Sequence, residues 1–85
     1  MKAYFISGLG ADEKVFQRIQ LPDEFEPVHL GWIEPLQNES FESYAVRLSK
    51  RIDVKEDFVL IGLSLGGMLA IEINKFLKPK QTILI

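Results

Sequence analysis

Ser64 is the residue of this chain best placed to do chemistry. It lies at the centre of the pattern Gly62-Leu63-Ser64-Leu65-Gly66, which follows an apolar run and precedes a helical pattern. A serine on a tight turn between a strand and a helix presents its hydroxyl outward and can act as a nucleophile. Such a turn closes only when the residues two positions away on either side are small. The pattern therefore predicts a reactive serine at position 64.

Two backbone amides are expected to stabilise negative charge beside this serine. The helix that follows Ser64 would direct its N-terminal amides at the reaction centre, so the N–H of Leu65 could donate to a developing oxyanion. A second donor is needed. We expect it from Leu9, in the glycine loop that follows the first strand. The glycines expected to support the two turns are Gly8, Gly10, Gly62, Gly66 and Gly67.

Four β-type runs alternate with three helical patterns and would position these loops. The runs cover residues 3–7, 25–30, 58–61 and 82–85, and the helical patterns begin near residues 12, 40 and 65. This alternation predicts an α/β fold with a parallel sheet. Pro27 cannot donate a ladder hydrogen bond, so the second run should be an edge strand. With the first and third runs central, the predicted strand order is 2-1-3-4, and both glycine loops meet at the carboxyl ends of adjacent strands.

The second and third helical patterns supply most of the expected core. Ser40 or Asn38 could cap the second helix. The third is predicted to run from about 65 to 77, ending before Pro79. Because it is apolar nearly all round, we expect it to be the most buried helix, with Met68 and Phe76 in the core. The apolar stripe of the second helix consists of Phe41, Tyr44, Ala45, Leu48 and Ile52.

Length and composition restrict the classes of function. Eighty-five residues predict a single small domain, and 47% apolar with 26% charged residues is typical of a folded protein. A net charge of −2 without a basic run argues against a nucleic-acid partner. No apolar stretch approaches the roughly 20 residues of a membrane span. The absence of cysteine excludes disulfides and thiolate ligands and is compatible with the cytoplasm, where we place the protein. No metal or cofactor motif is present, and none is expected.

The chain resembles the α/β-hydrolase superfamily, and most closely its small bacterial serine hydrolases. The resemblance rests on Ser7-Gly8-Leu9-Gly10 and on the block from Val59 to Met68, within an element order that extends over nearly the whole chain. It implies a three-layer α/β/α fold, with Ser64 as nucleophile and the Leu65 and Leu9 amides as the oxyanion hole. It also implies an acyl-enzyme reaction on a small ester or thioester. Whether the acyl group passes to water or to another acceptor stays open.

The sequence departs from the family in two respects. Many members have a histidine where Ser7 stands. The family also supplies its catalytic acid and histidine after later strands, which would lie beyond Ile85, whereas His29, the one histidine here, precedes the serine. We therefore expect residues 1–85 to be the N-terminal portion of a truncated α/β-hydrolase domain, ending at the start of the strand after the third helix. Without a base, Ser64 would be a weak nucleophile and turnover would be slight or absent.

Other interpretations of the same residues stay open. The serine turn could be purely structural in another doubly wound protein, for example a non-catalytic flavodoxin-like module. Such a module could self-associate through the apolar edge formed by residues 83–85. Trp32 could line an acyl pocket or simply cover the sheet edge. Nucleotide binding by the first glycine loop is disfavoured, because Glu13 occupies the third glycine position of that motif.

Overall fold

A four-stranded parallel sheet organises the residues that the computed structural model describes, which are 1–8 and 19–85. Its order is β2-β1-β3-β4, and every pair is parallel. This confirms the strand order predicted from the sequence and fits an α/β fold. The elements in chain order are β1 (Lys2–Ile6), β2 (Glu26–His29), α1 (Phe41–Ser49), β3 (Phe58–Gly62), α2 (Leu65–Ile73) and β4 (Gln81–Leu84).

The central strands are buried and the outer strands are not. All five residues of β3 are buried, as are four of the five in β1, because neighbouring strands and packed side chains enclose them. Pro27 lies in the edge strand β2, where its missing N–H costs no ladder bond. At the opposite edge, β4 exposes Ile83 and Leu84. Both edge positions agree with the sequence prediction.

The helices α1 and α2 pack on the same face of the sheet. Apolar residues from both helices form one core with alternate side chains of the strands, including Tyr4, Ile6 and Leu60. On the opposite face, a smaller cluster gathers Ala3, Phe5, Val59 and Ile61 against Ile19, Leu21, Phe25 and Leu63. The helix predicted from residue 12, which would form the third layer, lies outside the described residues.

The N-terminus of α1 is fixed by Ser40. Its Oγ accepts a hydrogen bond from the Ser43 amide at 3.1 Å, so it is the cap. Asn38, the alternative, instead has φ of 60° in the preceding turn. Asparagine tolerates this left-handed conformation better than most residues do. The capping residue was thus among the two that the sequence predicts.

Helix α2 is shorter and less buried than the sequence predicts. It ends at Ile73 because Asn74 donates its side-chain amide to the Ala70 carbonyl at 2.8 Å and to Thr82 in β4 at 2.8 Å, and such side-chain bonds compete with helix continuation. The expectation that Met68 and Phe76 are core residues is wrong, since they are 56% and 45% exposed. The sheet and α1 cover only one side of the helix.

Within the described residues, neither helix has the length and apolar content needed to traverse a bilayer.

Candidate active site

Ser64 adopts a backbone conformation that a non-glycine residue rarely occupies. It lies between β3 and α2 with φ of 58° and ψ of −123°, and it is exposed. A side chain in this region costs on the order of 1–3 kcal/mol, and such strain persists only where the surrounding structure enforces it. Among the described residues, Asn38 alone shares the positive φ outside glycine. The conformation is therefore a specific product of the strand-to-helix turn.

Backbone hydrogen bonds to two neighbouring strands hold this turn in place. The Leu63 amide donates to the Ile6 carbonyl at the end of β1, at 2.9 Å. The Ser64 amide donates to the Ile85 carbonyl just after β4, at 3.2 Å. Within the turn, the Gly67 amide donates to the Ser64 carbonyl at 2.8 Å. The serine is thus fixed from both sides of β3.

Two glycines of the motif are required by close backbone approach. A Cβ atom on Gly66 would collide with the carbonyl oxygen of Ile6, and one on Gly62 would lie 2.6 Å from the Gly66 oxygen. Gly67 is different, since a Cβ there would make only ordinary contacts of 3.5 Å. Both close approaches bring α2 against the ends of β1 and β3. Of these three glycines, Gly62 and Gly66 are the sterically necessary ones.

The Leu65 amide has no acceptor among the described residues. By contrast, the amides of Leu63, Ser64, Gly66 and Gly67 each donate to a backbone carbonyl. An N–H at the first position of a helix, directly after an exposed serine hydroxyl, is suited to donate a hydrogen bond to a negatively charged oxygen of a ligand. Leu9, the predicted second donor, and Gly10 lie outside the described residues.

Gly8 brings the first glycine loop to the serine side chain. A Cβ on Gly8 would lie 3.4 Å from Cβ of Ser64 and 3.7 Å from its Oγ. The two loops therefore meet at the carboxyl ends of β1 and β3, the edge at which open α/β sheets bind ligands. A side chain at Gly8, which is buried, would therefore stand directly against the serine.

A cavity of about 600 Å³ lies beside the turn. Its apolar lining comes from Trp32, Ile33, Pro35, Phe41, Tyr44 and Leu65, and its polar lining from Glu34, Glu39 and Ser40. Leu65 directly follows the serine, so the cavity extends from the candidate reaction centre towards α1. Trp32 lies in the wall of this cavity, and its role in holding an acyl group stays a prediction.

Trp32 is held rigidly in this wall. Its indole Nε1 donates to the Ser7 carbonyl at 3.0 Å, which joins the loop after β2 to the residue before Gly8. Its ring lies 5.3 Å from that of Tyr44, with the planes inclined by 39°. These contacts leave the indole few alternative positions, so the wall is preorganised.

Side chains of α1 fasten the loop that carries Trp32. The Tyr44 hydroxyl accepts from the Ile33 amide and donates to the Ile33 carbonyl, both at 2.8 Å. Arg47 donates to the Glu39 carboxylate at 2.7 Å and to the Glu34 carbonyl at 3.1 Å. The shape of the cavity therefore depends on tertiary contacts between α1 and residues 31–39.

The pKa values of two ionisable groups in this wall are shifted. The Leu36 amide, which donates to the Glu39 carboxylate at 3.0 Å, holds the pKa of that carboxyl below its usual 4.5, and Arg47 and Ser43 lower it further against the opposing effect of burial. Burial raises the pKa of the Tyr44 hydroxyl above 10.0, although its bond to Ile33 acts in the opposite direction. At neutral pH both groups therefore act as fixed hydrogen-bonding partners.

His29 lies two strands away from the strand that leads to Ser64. His29 in β2 pairs with Phe5 in β1, and Phe5 pairs with Ile61 in β3. Two strand spacings, roughly 10 Å, therefore separate His29 from the strand that leads to Ser64. Glu34 lines the cavity with an exposed side chain. Among the described residues, no group of three or more histidine and carboxylate side chains could hold a metal ion.

Several residues of this site could not be assigned to it from the sequence. The sequence predicts Phe41 and Tyr44 only as parts of a helical stripe, and it gives Glu39 and Arg47 no joint role. Glu39 lies before the first residue of α1, and a separation of eight residues is not a helical contact spacing, so no sequence signal pairs it with Arg47. The contribution of the Ile85 carbonyl has no sequence signal, because any residue supplies that group.

Comparisons with known proteins add no assignment. No protein-family model matches the chain, and neither the curated proteins nor the solved structures give a significant match.

Proposed function

We propose that the chain carries the nucleophile of a serine-dependent acyl-transfer reaction, in the manner of an α/β-hydrolase acting on esters or thioesters. The observation that carries this proposal is the strained, exposed Ser64, at φ of 58°, immediately before the N-terminus of α2. A purely structural turn would be relieved by glycine at this position. The Leu65 amide, which has no acceptor in residues 1–8 or 19–85, and the close approach of Gly8 to the serine side chain support the same chemistry.

The proposed reaction forms an acyl-enzyme and then releases the acyl group. Oγ of Ser64 attacks the carbonyl carbon of the ester while its proton passes to a general base. The Leu65 amide donates to the carbonyl oxygen as it becomes negative. The C–O or C–S bond to the leaving group then breaks, the alcohol or thiol departs with a proton, and an acyl-serine remains. Water or another acceptor next takes the acyl group and restores the hydroxyl.

Activity of the 85-residue chain by itself is proposed to be slight or absent. His29 is the one histidine in the sequence, and its strand position keeps it away from Ser64. A serine without an adjacent base attacks slowly, although oxyanion stabilisation still lowers the barrier. Hydrolysis of p-nitrophenyl acetate should therefore stay close to the rate of Ser64→Ala.

A fluorophosphonate probe tests the nucleophile without requiring turnover. Intact mass and peptide mapping should locate a slowly formed adduct on Ser64 in the unchanged chain. Ser64→Ala should lose the adduct, and Ser43→Ala, which removes another exposed serine, should retain it. Equal labelling of Ser64→Ala, or no adduct in any variant after prolonged exposure, would contradict the proposal.

The second candidate function is a non-catalytic module that associates with another chain. The observation that favours it is the exposed apolar edge at Ile83, Leu84 and Ile85, which are 40%, 53% and 58% exposed. An unprotected edge strand is a template for pairing with a second chain. Here the turn at Ser64 would be architecture only, and the fluorophosphonate experiment separates the two functions.

A further inference from the structure

The lining of the cavity next to the serine turn combines aromatic and aliphatic residues. Trp32, Phe41 and Tyr44 are its aromatic residues, which we call the aromatic wall, and Leu65, which directly follows Ser64 in the chain, is among its aliphatic ones. Because Trp32 and Tyr44 are fixed by hydrogen bonds to the Ser7 carbonyl and to Ile33, the wall is in place before any ligand arrives. A preformed apolar cavity loses little ordering entropy on binding.

The charged residues of the cavity lining disfavour an anionic ligand. Among residues 1–8 and 19–85, no lysine or arginine lines the cavity, whereas Glu34 and Glu39 do. The Glu39 carboxylate is already occupied by Arg47, Ser43 and the Leu36 amide. This part of the lining therefore offers an incoming carboxylate no free cation, and an uncharged group would enter it at a lower desolvation cost.

The size of the cavity favours a ligand larger than an acetyl group. Its volume of about 600 Å³ is within the range of roughly 300–1,000 Å³ typical of small-molecule sites. An apolar cavity of about 150 Å³ already accepts benzene. An acetyl group would leave most of this space unfilled, whereas a ring or a medium-length chain would contact the aromatic wall.

We infer that this cavity binds the uncharged aromatic or medium-chain acyl group of the substrate, with Trp32 and Phe41 determining specificity. The inference rests on the proposed function, since Leu65 connects the cavity to the nucleophile. The scissile carbonyl would lie at the Leu65 amide, and the acyl group would extend along the aromatic wall towards α1.

Binding can be measured separately from catalysis because Trp32 is the one tryptophan in the sequence. Methyl phenylacetate is titrated against Ser64→Ala while Trp32 emission and the amide chemical shift of Leu65 are followed. Saturable changes in both are expected. Methyl acetate, which lacks the ring, and the phenylacetate anion, which carries a charge, should bind at least about tenfold more weakly.

A matched pair of phenylalanine substitutions locates the site. Phe41→Ala removes part of the cavity wall and should raise the Kd for methyl phenylacetate about tenfold. Phe76→Ala removes an exposed ring outside the lining and should leave the Kd unchanged. If Phe41→Ala does not fold, Ile33→Val gives a milder change in the same lining and should weaken binding measurably.

Three results would overturn the inference. These are no saturable response to methyl phenylacetate, equal binding of the anion or of methyl acetate, and equal weakening by Phe41→Ala and Phe76→Ala. None of them depends on the reactivity of Ser64, because the titrated variant lacks the hydroxyl. Failure of fluorophosphonate labelling with intact binding would instead reject the proposed function alone.

Discussion

At the scale of single residues, Ser64 combines backbone strain with exposure. Its φ of 58° is unfavourable for any side chain, yet its hydroxyl makes no capping bond to α2 that would compensate. The neighbouring strands impose the conformation through the Ile6 and Ile85 carbonyls. Stability and the proposed chemistry therefore make opposite demands at this position.

Replacing Ser64 with glycine should reveal the strain. We expect Ser64→Gly to be more stable than Ser64→Ala by about 1–2 kcal/mol, because glycine adopts positive φ without steric cost. Urea denaturation measures the difference. At Ser43, inside α1, the order should reverse, with glycine less stable than alanine by about 1 kcal/mol. If alanine were more stable than glycine at both positions, Ser64 would not be strained.

The two consecutive glycines of α2 should respond in opposite directions to alanine. Gly66→Ala should cost about 3 kcal/mol or more, because its Cβ would collide with the Ile6 carbonyl and neither backbone can move freely. Gly67→Ala should raise the free energy of unfolding by up to about 1 kcal/mol, since alanine favours a helix and its Cβ meets only ordinary contacts. Denaturant midpoints of the two variants test this, and similar losses in both would contradict it.

At the scale of elements, the sheet was predictable and the cavity was not. Pro27 assigns β2 to an edge, and the unbroken apolar run of β3 identifies a central strand, so local sequence determines the order. The end of α2 depends on Asn74 contacting Thr82, and the cavity depends on Tyr44 contacting Ile33. Such contacts join residues that sequence periodicity does not relate, which is why the predicted helix is too long and why, of the aromatic wall, only Trp32 is a pocket candidate from the sequence.

The bond between α1 and the cavity loop can be removed selectively. Tyr44→Phe leaves both Ile33 backbone groups without their hydroxyl partner, so we expect a loss of about 1 kcal/mol and a shift in Trp32 emission. Tyr4→Phe removes a hydroxyl that accepts from the Asp53 amide at 2.9 Å and should cost a similar amount without the shift. Emission changes in both variants would argue against a local role for Tyr44.

The same loop should make stability sensitive to acid. The folded state lowers the pKa of Glu39, so its contribution is complete above the unfolded value near 4.5 and is lost as the pH falls through the lower folded value. Glu39→Gln should therefore be destabilising at pH 7, and its deficit should shrink at pH 3. Urea titrations at both values measure this. Glu56→Gln, at an exposed loop position, should show no such trend.

At the scale of the whole molecule, the two sheet edges differ in how they meet solvent. The edge strand β2 carries Pro27 and Glu26, which discourage pairing, whereas β4 exposes Ile83 and Leu84. Any association of the folded chain through its sheet should therefore use β4. This applies whether or not Ser64 is reactive.

Sedimentation at increasing concentration should detect this association. We expect a rise in mass that Ile83→Lys abolishes, because a lysine protects an edge strand. Gln81→Lys adds the same charge to an already polar position of β4 and should reduce the association less. A chain that stays monomeric at every concentration would contradict the second candidate function.

The central position of β1 affects how the chain is made. Lys2 pairs with Glu26 on one side and with Phe58 on the other, so the first strand synthesised waits for the third. At synthesis rates of about 5–20 residues per second, that delay is roughly 3 to 11 seconds. During it, the apolar residues of β1 lack their main partner, and every later pairing closes a long loop. Until Phe58 has been synthesised, the apolar residues of β1 are therefore exposed to contacts that the folded chain does not make.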